Sequence, residues 1–230
     1  MFNFGISKES AVRTVRPQLK PWNIYDVKFM GCEIREFAGK KDPNTTYKVL
    51  DIKFENEDGY FTVTKFFPKE GDEVRRAVDA KNGGKREFAS NFEELMNIVK
   101  QTAEVLTPEG FKKMSEASAK FKSFDDVAKA LITITDKVKG CETKIKLIGR
   151  NRDNRVVAEI PNITSVFDGV ATITDNYIGN KLFFSDYEEG KRAEYLNSKP
   201  TNMTSEKNDP IMDVATPAAD NDEFDLDTLL

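Results

Sequence analysis

The chain has 230 residues, 35 Lys and Arg against 39 Asp and Glu, 39% hydrophobic and 10% aromatic residues, and no histidine. That composition fits a globular domain with appendages and excludes collagen, a coiled coil and a wholly disordered chain. Without histidine, Ser-His-Asp triads, Cys-His dyads and histidine-bearing zinc sites are impossible.

Residues 1–20 read as a basic arm, with Lys8, Arg13, Arg16 and Lys20 against Glu9, ending at Pro17 and Pro21. Such an arm suits a polyanion or covers a sheet edge. The N-terminus lacks the charged-then-apolar run of a secretion signal, and no apolar run reaches the roughly 18 residues of a membrane span, so a soluble cytoplasmic protein is expected. Trp22 to Met30 alternates at the strand period, with Tyr25, Val27 and Phe29 on one face. Trp22 and Tyr25 read as core, and Cys32 and Cys141, too far apart for a CxxC pair, as reduced core thiols.

A loop from Phe37 to Thr46 precedes a second strand, Tyr47 to Phe54, with Leu50, Ile52 and Phe54 on one face and Tyr47, Val49, Asp51 and Lys53 on the other. Asn56-Glu57-Asp58-Gly59 signals a hairpin, and Tyr60 to Phe67 returns as a third strand, stopped by Pro68. Asp72 to Phe88 is polar and basic, with a flexible Gly83-Gly84 turn. A helical insert spans 88–140. Ser90 and Glu93 have capping-box spacing, Pro108 opens a second helix, Ser123-Phe124-Asp125-Asp126 starts a third, and Gly140 ends it. The strand period then resumes at Thr143 to Ile148 and at Arg155 to Ile160, a hairpin with a basic tip, and short strands are expected at Ala171 to Thr174 and Lys181 to Ser185.

Five antiparallel strands with helices between the third and fourth predict an α+β chain: a five-stranded OB-like antiparallel β-barrel with a helical insert, an extra C-terminal hairpin and a disordered acidic tail. The binding domain is placed at 21–196, a flexible linker at 197–219 and the tail at 220–230. From Lys199 onward two lysines face eight acids, a local charge of −6, so the preceding residues carry +2. In the tail, Asp220, Asp222, Glu223, Asp225 and Asp227 alternate with Phe224, Leu226, Leu229 and Leu230. Large apolar residues there suit docking in a basic-rimmed pocket, or occupation of the body's own groove. The linker would span about 26 Å, enough to reach that groove.

OB-folds bind single strands across strands two and three and between two loops, where cations track phosphates and rings stack bases. The candidate DNA-binding residues are Lys40 and Lys41 in the first loop, Tyr47 and Lys53 on strand two, Tyr60 and Lys65 on strand three, Lys144 and Lys146 on strand four, and Arg150, Arg152 and Arg155 at the last hairpin. Each lysine alone also fits a merely solvated face.

The segments Leu19-Lys20-Pro21-Trp22, Tyr47 to Phe54, Phe66-Phe67-Pro68 and Lys144 to Gly149, with the acidic tail, resemble single-stranded DNA-binding proteins of large tailed phages. The resemblance implies a protein that coats single-stranded DNA in replication, recombination and repair, in the host cytoplasm if phage-encoded. It also implies a tail, here Asp222, Glu223, Phe224, Asp225, Leu226, Asp227, Leu229 and Leu230, that competes with DNA and recruits a polymerase, helicase or primase. Bacterial members end in acids followed by Pro-Phe, whereas this chain ends Asp227-Thr228-Leu229-Leu230.

Two other readings stand beside it. Asp51-Ile52-Lys53 faintly echoes the acid-x-lysine arrangement of metal-dependent nucleases. A virion or scaffolding protein would use the tail as an assembly peptide. Gly83-Gly84-Lys85 is not a P-loop and no Rossmann fingerprint occurs, so no catalysis, cofactor or metal is expected, and self-association is left open.

Overall fold

A computed structural model describes residues 16–40, 42–79, 85–152, 155–161, 164–167, 170–173 and 182–198. It is an α+β structure built on a five-stranded antiparallel sheet. The strands are β1 (Asn23–Ala38), β2 (Thr46–Asn56), β3 (Gly59–Phe66), β6 (Glu142–Arg152) and β7 (Arg155–Glu159), in the order β3-β2-β1-β6-β7. Among the described residues β3 and β7 do not pair, so the sheet is open. A second sheet, order β4-β5-β8-β9, joins β4 (Arg76–Asp79) and β5 (Lys85–Phe88) to the hairpin β8 (Thr164–Phe167) and β9 (Val170–Ile173).

β1 is twice as long as its sequence pattern indicates because a bulge interrupts the alternation. Pairing with β2 slips between Phe29 and Gly31, where Gly31 takes φ +120, a conformation that suits glycine. The turn after β2 is Glu57-Asp58, closed by Asn56 Oδ1, which accepts from the backbone N–H groups of Asp58 and Gly59. Gly59 is needed for a different reason: a Cβ there would lie 2.2 Å from the Pro17 carbonyl oxygen. Pro17 to Leu19 crosses the start of β3, with Gln18 bridging Tyr60, so this part of the arm covers a sheet edge.

The three helices of the insert are α1 (Asn91–Leu106), α2 (Pro108–Ala117) and α3 (Phe124–Asp136). Ser90 and Ser123 cap α1 and α3 in reciprocal capping boxes with Glu93 and Asp126, and Pro108 opens α2. Leu95, Ile98 and Val99 of α1 and Val127, Leu131 and Ile134 of α3 pack with Phe29, Leu50, Ile52, Phe54, Ile145 and Leu147 into one core. Phe54 and Leu131 are almost wholly enclosed, and truncating such side chains to alanine costs about 2–5 kcal/mol. The core therefore lies on one face of the large sheet, leaving the opposite face of β1, β2 and β3 to other work.

Three differences from the sequence reading concern the flanks. The polar stretch from Asp72 to Phe88 contains the hairpin β4–β5, tied to α1 by Arg75–Glu93 and Arg76–Glu94 ion pairs. No strand forms at 182–185; these residues lead into α4 (Asp186–Asn197), which the sequence reading missed. Its register buries only Glu188, so it carries no apolar stripe for periodicity to detect. Trp22 and Cys32 are buried as expected, Cys141 half-buried, and both cysteines are free. Burial pushes the Cys32 thiol up to about 12. Among the described residues, no helix is long and apolar enough to cross a membrane.

Candidate nucleic-acid interface

Antiparallel pairing sets residues of three strands side by side on the face away from the core. Phe37 of β1 is opposite Tyr47 of β2, and Val49 of β2 is flanked by Arg35 on β1 and Phe66 on β3. One step further, Asp51 is flanked by Glu33 and Thr64. Because side chains alternate along a strand, Phe37, Tyr47 and Phe66 converge at one end of this face. Their ring centroids lie 5.8 Å (Phe37–Tyr47), 6.1 Å (Phe37–Phe66) and 5.8 Å (Tyr47–Phe66) apart.

Phe66 is 54% exposed although large and apolar, and Phe37 and Tyr47 are half-buried. Cations flank the rings. The Lys69 ammonium lies 4.5 Å from the Tyr47 centroid and the Arg35 guanidinium 5.2 Å from that of Phe37. The adjoining loop is folded by Asp42, whose Oδ1 accepts from the Asn44 backbone N–H and whose Oδ2 accepts from Thr45 Oγ1 at 2.6 Å. These bonds hold the Asp42 carboxyl below its usual range. The loop leaves Lys40 exposed, and Tyr47 packs so closely on Gly39 that a Cβ there would meet its ring at 2.8 Å.

Asp51 lies in the middle of this face with its carboxylate occupied: Arg35 Nε donates at 2.8 Å and Thr64 Oγ1 donates to the other oxygen. Lys53 pairs with Glu33 at 2.6 Å. Tyr60 shares the face at its far end, opposite Glu55, which pairs with Arg16. Six residues of strand separate Tyr60 from Phe66, about 20 Å, so the two expected stacking tyrosines do not share one site.

The cations expected on β6 and β7 have carboxylate partners. Lys144 pairs with Asp26 at 2.7 Å, and Arg150 and Arg152 converge on Glu159. Arg155 is exposed and paired in register with Arg152. Lys65 points away from the ring trio into a desolvated cluster: burial lowers its pKa, while Glu94 and Glu159 act to raise it.

Lys146 requires a correction. Expected on an exposed strand face, it is fully buried, its ammonium donating to Glu188 at 3.1 Å and to the Phe183 carbonyl at 3.0 Å. The alternation was read correctly, but α4 covers that face of β6. Arg192 of α4 also donates to the Trp22 carbonyl and lies over the Phe184 ring. This ion pair anchors α4 and is unavailable to a phosphate.

The sequence reading therefore brings Tyr47 and Lys40 to the site and misses Phe37, Phe66, Arg35 and Lys69. The signal for Arg35 and Phe37 was their alternation past Gly31, hidden by the bulge. That for Phe66 was its even spacing with Thr62 and Thr64. Lys41 and the tail residues Asp222 to Leu230 lie outside the described residues. No protein-family model, curated protein or solved structure matches this chain.

Proposed function

We propose that the chain is a non-catalytic, sequence-independent single-stranded DNA-binding protein acting in replication, recombination or repair. The observation that carries this reading is the partly exposed trio of Phe37, Tyr47 and Phe66 between Arg35, Lys69 and Lys40. Stacking is open to any base, because each has a π-face, and cations beside the rings meet the phosphates of the same strand. Duplex DNA keeps its bases stacked inside and gains little from such a surface. The strand order, with β1 between β2 and β6 and helices between the third and fourth strands of the sheet, supports an OB-like, partly open barrel. In this reading the acidic tail competes with DNA for the groove and recruits replication partners. The nuclease alternative loses support because the Asp51 carboxylate already accepts from Arg35 and Thr64.

The test is a titration of the chain with a fluorescent single-stranded oligonucleotide, with duplex of equal length as competitor, with and without Mg²⁺. Preference for the single strand, weakening with salt by roughly 0.7 in the log-log slope per phosphate contacted, is expected. Cleavage of the probe in Mg²⁺ would restore the nuclease, and no binding to either form would overturn the proposal. Removing residues 220–230 should tighten binding, most at low salt.

A further inference from the structure

The β4–β5 hairpin takes no part in the core. Arg76, Ala77, Val78 and Asp79 of β4 and Lys85, Arg86 and Glu87 of β5 are all exposed. β4 is the edge of its sheet, and among the described residues β5 meets β8 through one pair, Phe88 and Ser165. The hairpin therefore stands off the body, and its base is fixed to α1: Arg75 pairs with Glu93 at 2.7 Å and Arg76 with Glu94 at 2.6 Å.

Its two faces differ in charge. Arg76 is opposite Phe88 and Val78 opposite Arg86, while Ala77 is opposite Glu87 and Asp79 opposite Lys85. Opposed residues of an antiparallel pair project to the same side. One face thus carries Arg76, Val78, Arg86 and Phe88, and the other carries Ala77, Asp79, Lys85 and Glu87. Both acids of the two strands fall on the second face. On the first, the Arg86 guanidinium lies 5.0 Å from the Phe88 centroid, the same cation-on-ring arrangement as Lys69 on Tyr47 and Arg35 on Phe37.

The first face also continues the candidate interface. Arg76 reaches Glu94, and Glu94 lines, together with Tyr47, Phe66 and Lys69, a cavity of about 390 Å³ beside the ring trio. Arg86, across from Val78, lies two residues or roughly 7 Å further along the hairpin from Arg76. The side of the hairpin that bears Arg86 and Phe88 is therefore the side that meets the ring end of the large sheet.

Resting on the single-stranded DNA reading above, we propose that this face of the β4–β5 hairpin is a second contact for the same strand. A strand stacked on Phe37, Tyr47 and Phe66 passes Lys69 and runs on to Arg86, whose guanidinium takes a phosphate, while Val78 offers an apolar surface beside it. Packing on the Phe88 ring holds the planar donors of Arg86 ready for a phosphate. Arg76, held by Glu94, positions the hairpin rather than the strand.

The test uses two neighbours on opposite faces. Arg86→Gln and Lys85→Gln remove the same charge from adjacent exposed positions, and thermal melting of both variants checks that the fold is intact. Affinity for a single-stranded oligonucleotide of about 16 nucleotides, the upper end of OB-fold site sizes, is measured from low to high salt. Arg86→Gln should weaken binding at low salt and flatten the log-log slope by about 0.7, the share of one phosphate. Lys85→Gln should leave the slope as in the native chain. No change of slope in Arg86→Gln, or a change as large or larger in Lys85→Gln, overturns the hairpin contact and leaves the ring trio standing. Failure of the native chain to bind the oligonucleotide overturns the functional reading itself.

Discussion

At the Phe37–Tyr47–Phe66 end of the outer face, Lys69 rests on a ring and Arg35 lies between the Phe37 ring and the Asp51 carboxylate, whereas Lys144, Lys146, Arg150 and Arg152 of β6 each rest on a carboxylate. Among the described residues, neither Lys40 nor Lys69 lies within ion-pair distance of an acid, although Lys69 acts electrostatically on Asp72. The two regions look alike in sequence, as basic residues alternating along strands. They differ in what a polyanion would meet. A phosphate approaching Arg150 and Arg152 must displace or share Glu159, while a strand laid over the rings meets surface already prepared for stacking and two lysines, Lys40 and Lys69, outside ion-pair distance of the described carboxylates, with Arg35 shared with Asp51. Cationic sequence is therefore a poor guide to phosphate binding unless the neighbouring acids are placed.

The largest expected effect separates structural from binding charge on β6. Lys146→Ala leaves the buried Glu188 carboxylate without its ammonium and should cost about 3–5 kcal/mol in denaturant unfolding. Single-strand affinity of the folded fraction should not change, and a matching loss of affinity would return Lys146 to the interface. Next in size, Tyr47→Ala or Phe66→Ala should each weaken single-strand binding by about 1–3 kcal/mol. Tyr60→Ala, at the far end of the face, should have little effect, and the reverse ranking would move the site along β3.

A smaller effect sharpens the contrast from the other side. Glu159→Gln should release Arg150 and Arg152, tighten binding at low salt and steepen the salt slope by about 0.7 for each arginine that then meets a phosphate. An unchanged slope would mean that the β6–β7 hairpin lies off the DNA path.

The smallest effect concerns the helices behind the site. The Asp126 carboxyl is held below its ordinary value of 3.8, first by the Lys122 backbone N–H and then by Ser123. A carboxyl with a lowered folded pKa contributes stability above its unfolded pKa and loses it as pH falls through the folded one. Melting temperature should therefore drop below about pH 4, and Asp126→Asn should flatten part of that fall.

The helical insert was legible because its signals are local: Ser90 with Glu93, Ser123 with Asp126, and Pro108 at a helix start each act within one turn. The strands were legible as far as alternation ran unbroken. The bulge at Gly31 reversed the alternation halfway along β1 and hid the strand segment that carries Arg35 and Phe37. Helix α4 was not legible because it is held by Glu188 and Arg192 rather than by an apolar stripe, and its packing buried Lys146. Ion pairing between distant segments leaves no periodic trace, so which lysines face solvent could not be read from spacing.

The most direct test is to photocross-link a single-stranded oligonucleotide to the full chain with ultraviolet light and map the linked peptides by mass spectrometry. Cross-links on the peptides carrying Phe37, Tyr47 and Phe66, competed away by unlabelled single strand and not by duplex, are predicted. Cross-links confined to Tyr60, to α4 or to the β6–β7 hairpin, with none on the ring trio, would contradict the account.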